Sequence, residues 1–291
     1  MINICVYCNP NYRNESRIST IKRKIDLVSQ LIFLYKSIKK NWTNFDYDFY
    51  CFYNKNIKWS DEDIKRVSLF KDLNLIGVDE PDYYYCPWQT RIPCFNYPLK
   101  RKGTHRMVLD CDMIALKNPN FNLEKDWQAS FGGNLIQDKY INYILNKYNF
   151  NISSLLNKKD KKNLFIKYIN NSQSWKSLYP YFNAGAILIK EELTNKFISF
   201  WKQTYELILK KNWSKKLNPP YNILHISTQY TLSFSLLATS NNWEPFKPGF
   251  NYLLKCYDIN KFGKEKISLF HYCGANAEDI AKKNFSEYFI N

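Results

Sequence analysis

The order of patterns between Ile2 and Val78 constrains the fold more than any single motif. Ile2-Asn3-Ile4-Cys5-Val6-Tyr7 is a short apolar run, and the polar turn Asn9-Pro10-Asn11 follows it, as at the end of a strand in a βα unit. From Ile25 to Ile38 apolar residues recur at three-and-four spacing (Leu27, Val28, Leu31, Ile32, Leu34, Tyr35, Ile38), which predicts an amphipathic helix. Phe45 to Tyr53 is alternating and aromatic, hence a second strand, and Asp61 to Phe70 opens on an acidic turn and reads as a helix. Leu73 to Val78 is a third strand. Strand, helix, strand, helix, strand implies a doubly wound α/β fold on a mostly parallel central sheet flanked by helices. With 291 residues, 45% of them hydrophobic and 18% aromatic, the chain has material for one large core.

Farther on, Arg91 to Leu99 reads as a helix or irregular turn interrupted by Pro93 and Pro98. It leads into His105-Arg106-Met107-Val108-Leu109-Asp110-Cys111-Asp112-Met113-Ile114-Ala115-Leu116, an apolar strand that stops on two carboxylates before an apolar segment resumes. Gln128 to Gly133 is a further strand, and a Lys- and Asn-rich insertion without a core signal spans 134–179. Tyr181 to Ile189 returns to a strand with small residues at its mouth. Glu191 to Leu209 and Thr228 to Leu237 are predicted helices, and Ile267 to Gly274 is a closing strand running into a glycine turn. No internal repeat or Pro/Gly/Ser linker divides the chain, so a single domain over 1–291 is expected.

Lys and Arg number 42 against 26 Asp and Glu, a net +16 that would attract nucleic acid, anionic lipid or a phosphorylated small molecule. The basic residues are dispersed among Asn, Ile and Tyr, which is equally the pattern of a solvated surface. No stretch reaches the roughly 20 apolar residues that cross a bilayer, and the first strand has no signal-peptide character, so a cytoplasmic protein is expected, with peripheral association with an anionic membrane left open. The 8 cysteines are scattered, and the lone Cys5-x-x-Cys8 has no second pair, so buried free thiols are expected in place of disulfides or a zinc site.

Chemistry concentrates at Asp110 and Asp112. In open parallel sheets ligands bind beyond the carboxyl ends of strands, and two carboxylates one residue apart on extended backbone reach one hard cation, whose remaining positions a diphosphate can fill. The alternative is that the pair caps the following turn. His271 ends an apolar strand, where a histidine is either a packed core residue or a ligand.

The Asp110-Cys111-Asp112 run resembles the Asp-x-Asp motif of GT-A-fold glycosyltransferases, and the chain outside 134–179 is similar to glycosyltransferase family 8 and its relatives. The resemblance implies a nucleotide-sugar-binding half at 1–116 and an acceptor half at 117–291 that carries the insertion. Tyr7 and Cys8 would face the donor nucleotide, Arg91 corresponds to an Arg preceding the metal motif, and Asn183-Ala184-Gly185 to an Asn-Ala-Gly element at the active-site mouth. His271-Tyr272-Cys273-Gly274 matches a His-x-x-Gly whose His is the third protein ligand of the metal, which gives Asp110, Asp112 and His271 as the metal set and Gly274 as a donor contact. Where the family has Asp-Gln this chain has Thr228-Gln229, so only Gln229 carries over. The family's Lys-Pro-Trp is replaced by Ala275-Asn276-Ala277-Glu278-Asp279, leaving Lys100, Lys282 or Lys283 to neutralise the pyrophosphate.

What the resemblance implies is transfer of a hexose-type sugar from a nucleotide-diphosphate sugar, UDP-linked above all, to a glycan, lipid or protein acceptor with retained anomeric configuration. Asn183 and Gln229 are the expected catalytic side chains at the sugar; Glu191, Glu192 or Asp138 would be the carboxylates able to serve an inverting route instead. A nitrogen ligand beside two carboxylates suits Mn²⁺ better than Mg²⁺. Two other classes compete. A nucleotidyltransferase or other phosphate-handling enzyme also uses paired aspartates but needs a glycine-rich phosphate loop that Asn9-Pro10-Asn11-Tyr12-Arg13 does not supply. A basic nucleic-acid-binding module would account for the charge, but no zinc finger, RNA-recognition signature or clustered basic helix supports specific nucleic-acid binding.

Overall fold

The computed structural model describes residues 1–8, 27–79, 91–131, 182–210, 223–253, 263–272 and 277–289. Strand β1 (Ile2–Tyr7) is followed by helix α1 (Leu27–Asn41), β2 (Tyr47–Asn54), α2 (Asp61–Ser68) and β3 (Leu73–Val78), the alternation that the residue pattern predicts. Next come α3 (Ile92–Asn96), β4 (His105–Leu109), β5 (Met113–Ala115), β6 (Trp127–Phe131) and β7 (Phe182–Lys190). The chain continues through α4 (Thr194–Lys210), α5 (Ile223–Thr239), β8 (Trp243–Pro245), β9 (Tyr252–Leu253), β10 (Leu269–His271) and α6 (Ala277–Asn284).

The central sheet has seven strands in the order β3-β2-β1-β4-β7-β6-β8. It is mostly parallel, as expected; β7 alone runs against its neighbours β4 and β6. An apolar run buried on both faces records burial and not direction, so the residues of β7 read the same either way. Alternation along each strand divides the core in two. Ile4, Val6, Met107, Leu109, Ala186 and Leu188 face a layer built on α1 through Leu31, Leu34 and Ile38. Cys5, Val108, Ile187 and Ile189 face the opposite layer, with Phe197 and Trp201 of α4 and Leu232 and Leu236 of α5. Ser60 caps α2 by accepting from the Asp63 backbone N–H at 3.0 Å, and the acidic first turn suits the helix dipole.

The expected closing strand is shorter than its apolar run and does not join the central sheet. β10 lies in a small sheet of its own, antiparallel to β5 and parallel to β9, with Phe270, Ile114 and Tyr252 packed on Phe285 and Ala281. The five cysteines among the described residues (Cys5, Cys8, Cys51, Cys94, Cys111) are free and buried, as expected, and burial pushes the Cys5 thiol up to about 12. The 134–179 insertion and the Asn9-Pro10-Asn11 turn lie outside the described residues.

Candidate functional site

The strand order creates the crevice. The chain leaves β1 for β2 and β3 on one side, then crosses back to place β4 on the other, so the carboxyl ends of β1 and β4 flank the topological switch point where open α/β sheets bind ligands. Tyr7 ends β1, and Asp110 follows the last residue of β4. There the chain passes from one sheet to the other. The Asp110 backbone N–H still donates to the Gly185 carbonyl of β7 at 2.8 Å, whereas the Asp112 carbonyl accepts from Tyr272 N–H at 3.0 Å beside β10.

That crossing brings the third group in. Pairing of β10 with β5 sets His271 opposite Met113, next to Asp112. Its Nε2 is 3.2 Å from Asp112 Oδ1 and 3.7 Å from Asp110 Oδ2, and one donor atom from each of the three residues lies within 4.8 Å of the others. The carboxylates are 20% and 26% exposed and the imidazole 3%, so the cluster opens to solvent on the acidic side and is anchored on the nitrogen side. Burial pushes the Asp110 carboxyl above its ordinary range against the pull of Arg91. Burial also raises Asp112, but the adjacent His271 outweighs it and holds that carboxyl below its ordinary value. Two hard oxygens and one imidazole nitrogen converging on a point suit a divalent cation with positions left for a ligand. No other group of three or more His, Cys, Asp or Glu side chains with this spacing occurs among the described residues.

Gly185 makes the convergence possible. A Cβ there would lie 2.5 Å from His271 Cε1 and 2.7 Å from Asn183 Oδ1, so the imidazole occupies the space that any side chain would need. Arg91 joins the other two motifs: one guanidinium nitrogen pairs with Asp110 Oδ1 and Nη1 donates to the Ala184 carbonyl at 2.7 Å. The Arg91, Asp110, Asp112, Asn183-Ala184-Gly185 and His271 elements, separate in sequence, thus form one connected cluster.

Comparison with solved structures bears on this architecture. Galactosyltransferase LgtC, in complex with donor and acceptor sugar analogs, aligns with 99% of this chain and 95% of its own at a TM-score of 0.56 and 13% identity. The glycosyltransferase GlyE of Streptococcus pneumoniae TIGR4 aligns over 99% of this chain and 60% of its own, at a TM-score of 0.54 and 12% identity. The fold is GT-A. No family model and no curated protein matches the sequence.

Within this GT-A frame the remaining expected residues separate. The Tyr7 carbonyl accepts from Cys111 Sγ at 3.3 Å, tying β1 to the Asp-x-Asp turn. Cys8 stands at the strand end, but its thiol is fully buried and turned to the Leu27 carbonyl at 3.5 Å. The Cys111 thiol is pushed well up by its hydrogen bond with Cys8, by burial and by the flanking aspartates, which makes it a packing group between two charged neighbours. Asn183 accepts at Oδ1 from the Gly185 N–H at 2.8 Å and from Asn251 Nδ2 at 3.0 Å. Its oxygen is thereby saturated, which leaves only its amide N–H groups for any further contact. Position 229 is in α5, with its side chain outside the described residues, as are Gly274 and Asp138. Lys100, Lys282 and Lys283 are exposed.

Glu191 is held by Arg106, which donates through Nε at 2.6 Å and Nη2 at 2.5 Å, so this carboxylate is committed to an ion pair. The same guanidinium donates to the Cys94 and Tyr97 carbonyls at 3.3 and 2.7 Å, fixing α3 and the Arg91 that precedes it. Neither Arg106 nor Asn251 stands out in the sequence. The only signal at Asn251 is an Asn two residues after a glycine, Gly249, in a turn.

Proposed function

We propose that the protein is a metal-dependent glycosyltransferase that moves a hexose-type sugar from a nucleotide-diphosphate sugar, preferably a UDP-sugar, to a glycan, lipid or protein acceptor. The observation that carries this reading is the convergence of Asp110, Asp112 and His271 at the switch point of a GT-A sheet. It is supported by the donor and acceptor sugar analogs bound to LgtC. Asp110, Asp112 and His271 would hold the cation, Mn²⁺ in preference to Mg²⁺ because one ligand is nitrogen. A divalent cation held there would supply positive charge to offset what gathers on the departing diphosphate. Arg91 adds a fixed positive charge and orients Asp110. Tyr7 and Cys111 shape the nucleotide end of the crevice, and Ala184 and Gly185 stand at the sugar end, where Gly185 leaves the room that His271 fills.

Retention of anomeric configuration is part of the proposal. An inverting enzyme needs a carboxylate base on the acceptor side, and Glu191 is already paired with Arg106. Position 229 is in α5, one helical turn before Ser233, whose hydroxyl accepts from the Phe182 N–H at 2.8 Å next to Asn183, and this supports Gln229 as the amide at the sugar. There an amide dipole steadies positive charge on the sugar while the departing phosphate takes the acceptor proton. Proton NMR of the first product from an α-linked donor should show an α-linkage; a β-linkage would exclude retention.

The reaction class is tested by thermal shift. Mn²⁺ together with a nucleoside diphosphate should raise Tm, and substitution of Asp112 by Asn should abolish the rise. Stabilisation by oligonucleotides alone, weakening steeply with salt, would replace this reading with nucleic-acid binding.

A further inference from the structure

Asn251 is the described non-glycine residue with a left-handed backbone, φ 55°, and it is 2% exposed. It follows Gly249, also at positive φ (93°), in the turn that leads into β9, and the Gly249 carbonyl accepts from Ser268 and Leu269 N–H at 2.9 and 3.2 Å at the start of β10. The turn is therefore fastened to the strand that carries His271. A left-handed conformation is costly for most side chains and tolerated by Asn, so the position selects for an amide beyond its packing.

The direction of that amide follows from one backbone donor. Gly185 N–H can only donate, so the Asn183 atom facing it at 2.8 Å is the oxygen. The Asn251 atom 3.0 Å from that same oxygen must then be the amide nitrogen, which turns Asn251 Oδ1 toward His271 Nδ1 at 2.9 Å. An oxygen there requires a proton on Nδ1. In the neutral ring, the lone pair is then on Nε2, the nitrogen facing Asp110 and Asp112.

We propose that Asn251 is a positioning residue for the metal site: through the relay Gly185 N–H, Asn183 and Asn251, it fixes the tautomer and rotation of His271 so that Nε2 is presented as a ligand. Outer-shell partners of this kind orient a ligating imidazole and make it a better donor. The inference rests on the metal-site reading above and adds to it a residue whose contribution passes entirely through His271. It also assigns Asn183 a role on the side of the cluster away from the sugar.

The test uses the whole chain and the metal alone. Free Mn²⁺ counted by electron paramagnetic resonance gives Kd for the wild type and for Asn251→Gly, which accepts the same φ without strain. Weakening of about 10- to 100-fold is expected; a Kd within twofold of the wild type overturns the proposal. A second measurement needs no variant. In ¹⁵N-labelled wild type loaded with Cd²⁺, His271 should carry its proton on Nδ1 and couple to cadmium through Nε2; bonding through Nδ1 overturns the proposal even if Asn251→Gly does not fold. Failure of the wild type to bind either cation at the Asp110-Asp112-His271 cluster would instead overturn the metal reading and this inference with it.

Discussion

Substituting Gly185 by Ala tests the geometry of the site with a single methyl group. The residue is in strand β7, so backbone conformation is not at issue and the effect is one of contact. The added Cβ would be 2.5 Å from His271 Cε1 and 2.8 Å from His271 Nδ1; the shortfall from the 3.4 Å at which ordinary contact begins is about 0.9 Å. The ring cannot retreat freely, because His271 is 2% exposed and its neighbours Phe270 and Tyr272 are equally packed. Metal-ligand distances tolerate only about 0.2 Å, so a displacement of this size removes Nε2 as an effective ligand. A misplacement near 1 Å costs about 10²-fold in rate, and overpacking adds roughly 1–3 kcal/mol of destabilisation. Isothermal titration with Mn²⁺ reads the lost ligand as affinity, turnover of the donor reads the rate, and a thermal melt reads the stability. The control is Gly77→Ala on the edge strand β3, where a Cβ would meet Lys55 Cβ at 3.1 Å and the Tyr53 ring at 3.2 Å and none of the nearest atoms belongs to the cluster; it should leave Mn²⁺ affinity unchanged. Gly185→Ala binding Mn²⁺ within twofold of the wild type would refute the argument that His271 needs this space.

Replacing Arg106 by Met leaves Glu191 without its partner and frees two carbonyls of the α3 segment, so a loss of about 3 kcal/mol in chemical denaturation is expected, at the low end for a buried pair because Glu191 keeps some contact with water. Asp126 accepts from Lys190 at 2.7 Å, Ser240 at 2.5 Å and Asn242 at 3.3 Å; burial raises its carboxyl, but these donors outweigh it and hold it below the ordinary 3.8. Its stabilisation is complete above the unfolded value and is lost as pH falls through the lower folded value. Asp126→Asn should cost about 2 kcal/mol at neutral pH, and the gap from the wild type should close as unfolding is measured at progressively lower pH below 3.8. A gap that stays constant would show that the charge is not what matters.

Much of the fold is legible in the sequence because long elements repeat their pattern. Fifteen residues of α1 carry several turns of three-and-four spacing, and the strands from β1 to β4 are apolar runs bounded by turns. The direction of β7 is not legible, since two-sided burial has no polarity. β5, β8, β9 and β10 have two or three residues each, too few for a period, so the small sheet that delivers His271 was not predictable from spacing. The carboxylate pair stands out because charge interrupts an apolar run. Its partners do not: Gly185 matters because an imidazole approaches it from a strand over 80 positions later, and Asn251 because of a conformation and two contacts that exist only after folding. Arg106 and Glu191 look like ordinary surface charges until β4 and the end of β7 are paired.

The central claim is that this GT-A cluster supports metal-dependent cleavage of a nucleotide sugar. Release of nucleoside diphosphate from a panel of nucleotide sugars, followed with Mn²⁺ and again after chelation, measures it directly. The account predicts release from at least one donor, with a UDP-sugar favoured, that disappears on chelation and falls about a thousandfold in Asp112→Asn while Tm is retained. Release that persists in chelator, or an Asp112→Asn variant that keeps the wild-type rate at limiting Mn²⁺, would contradict it.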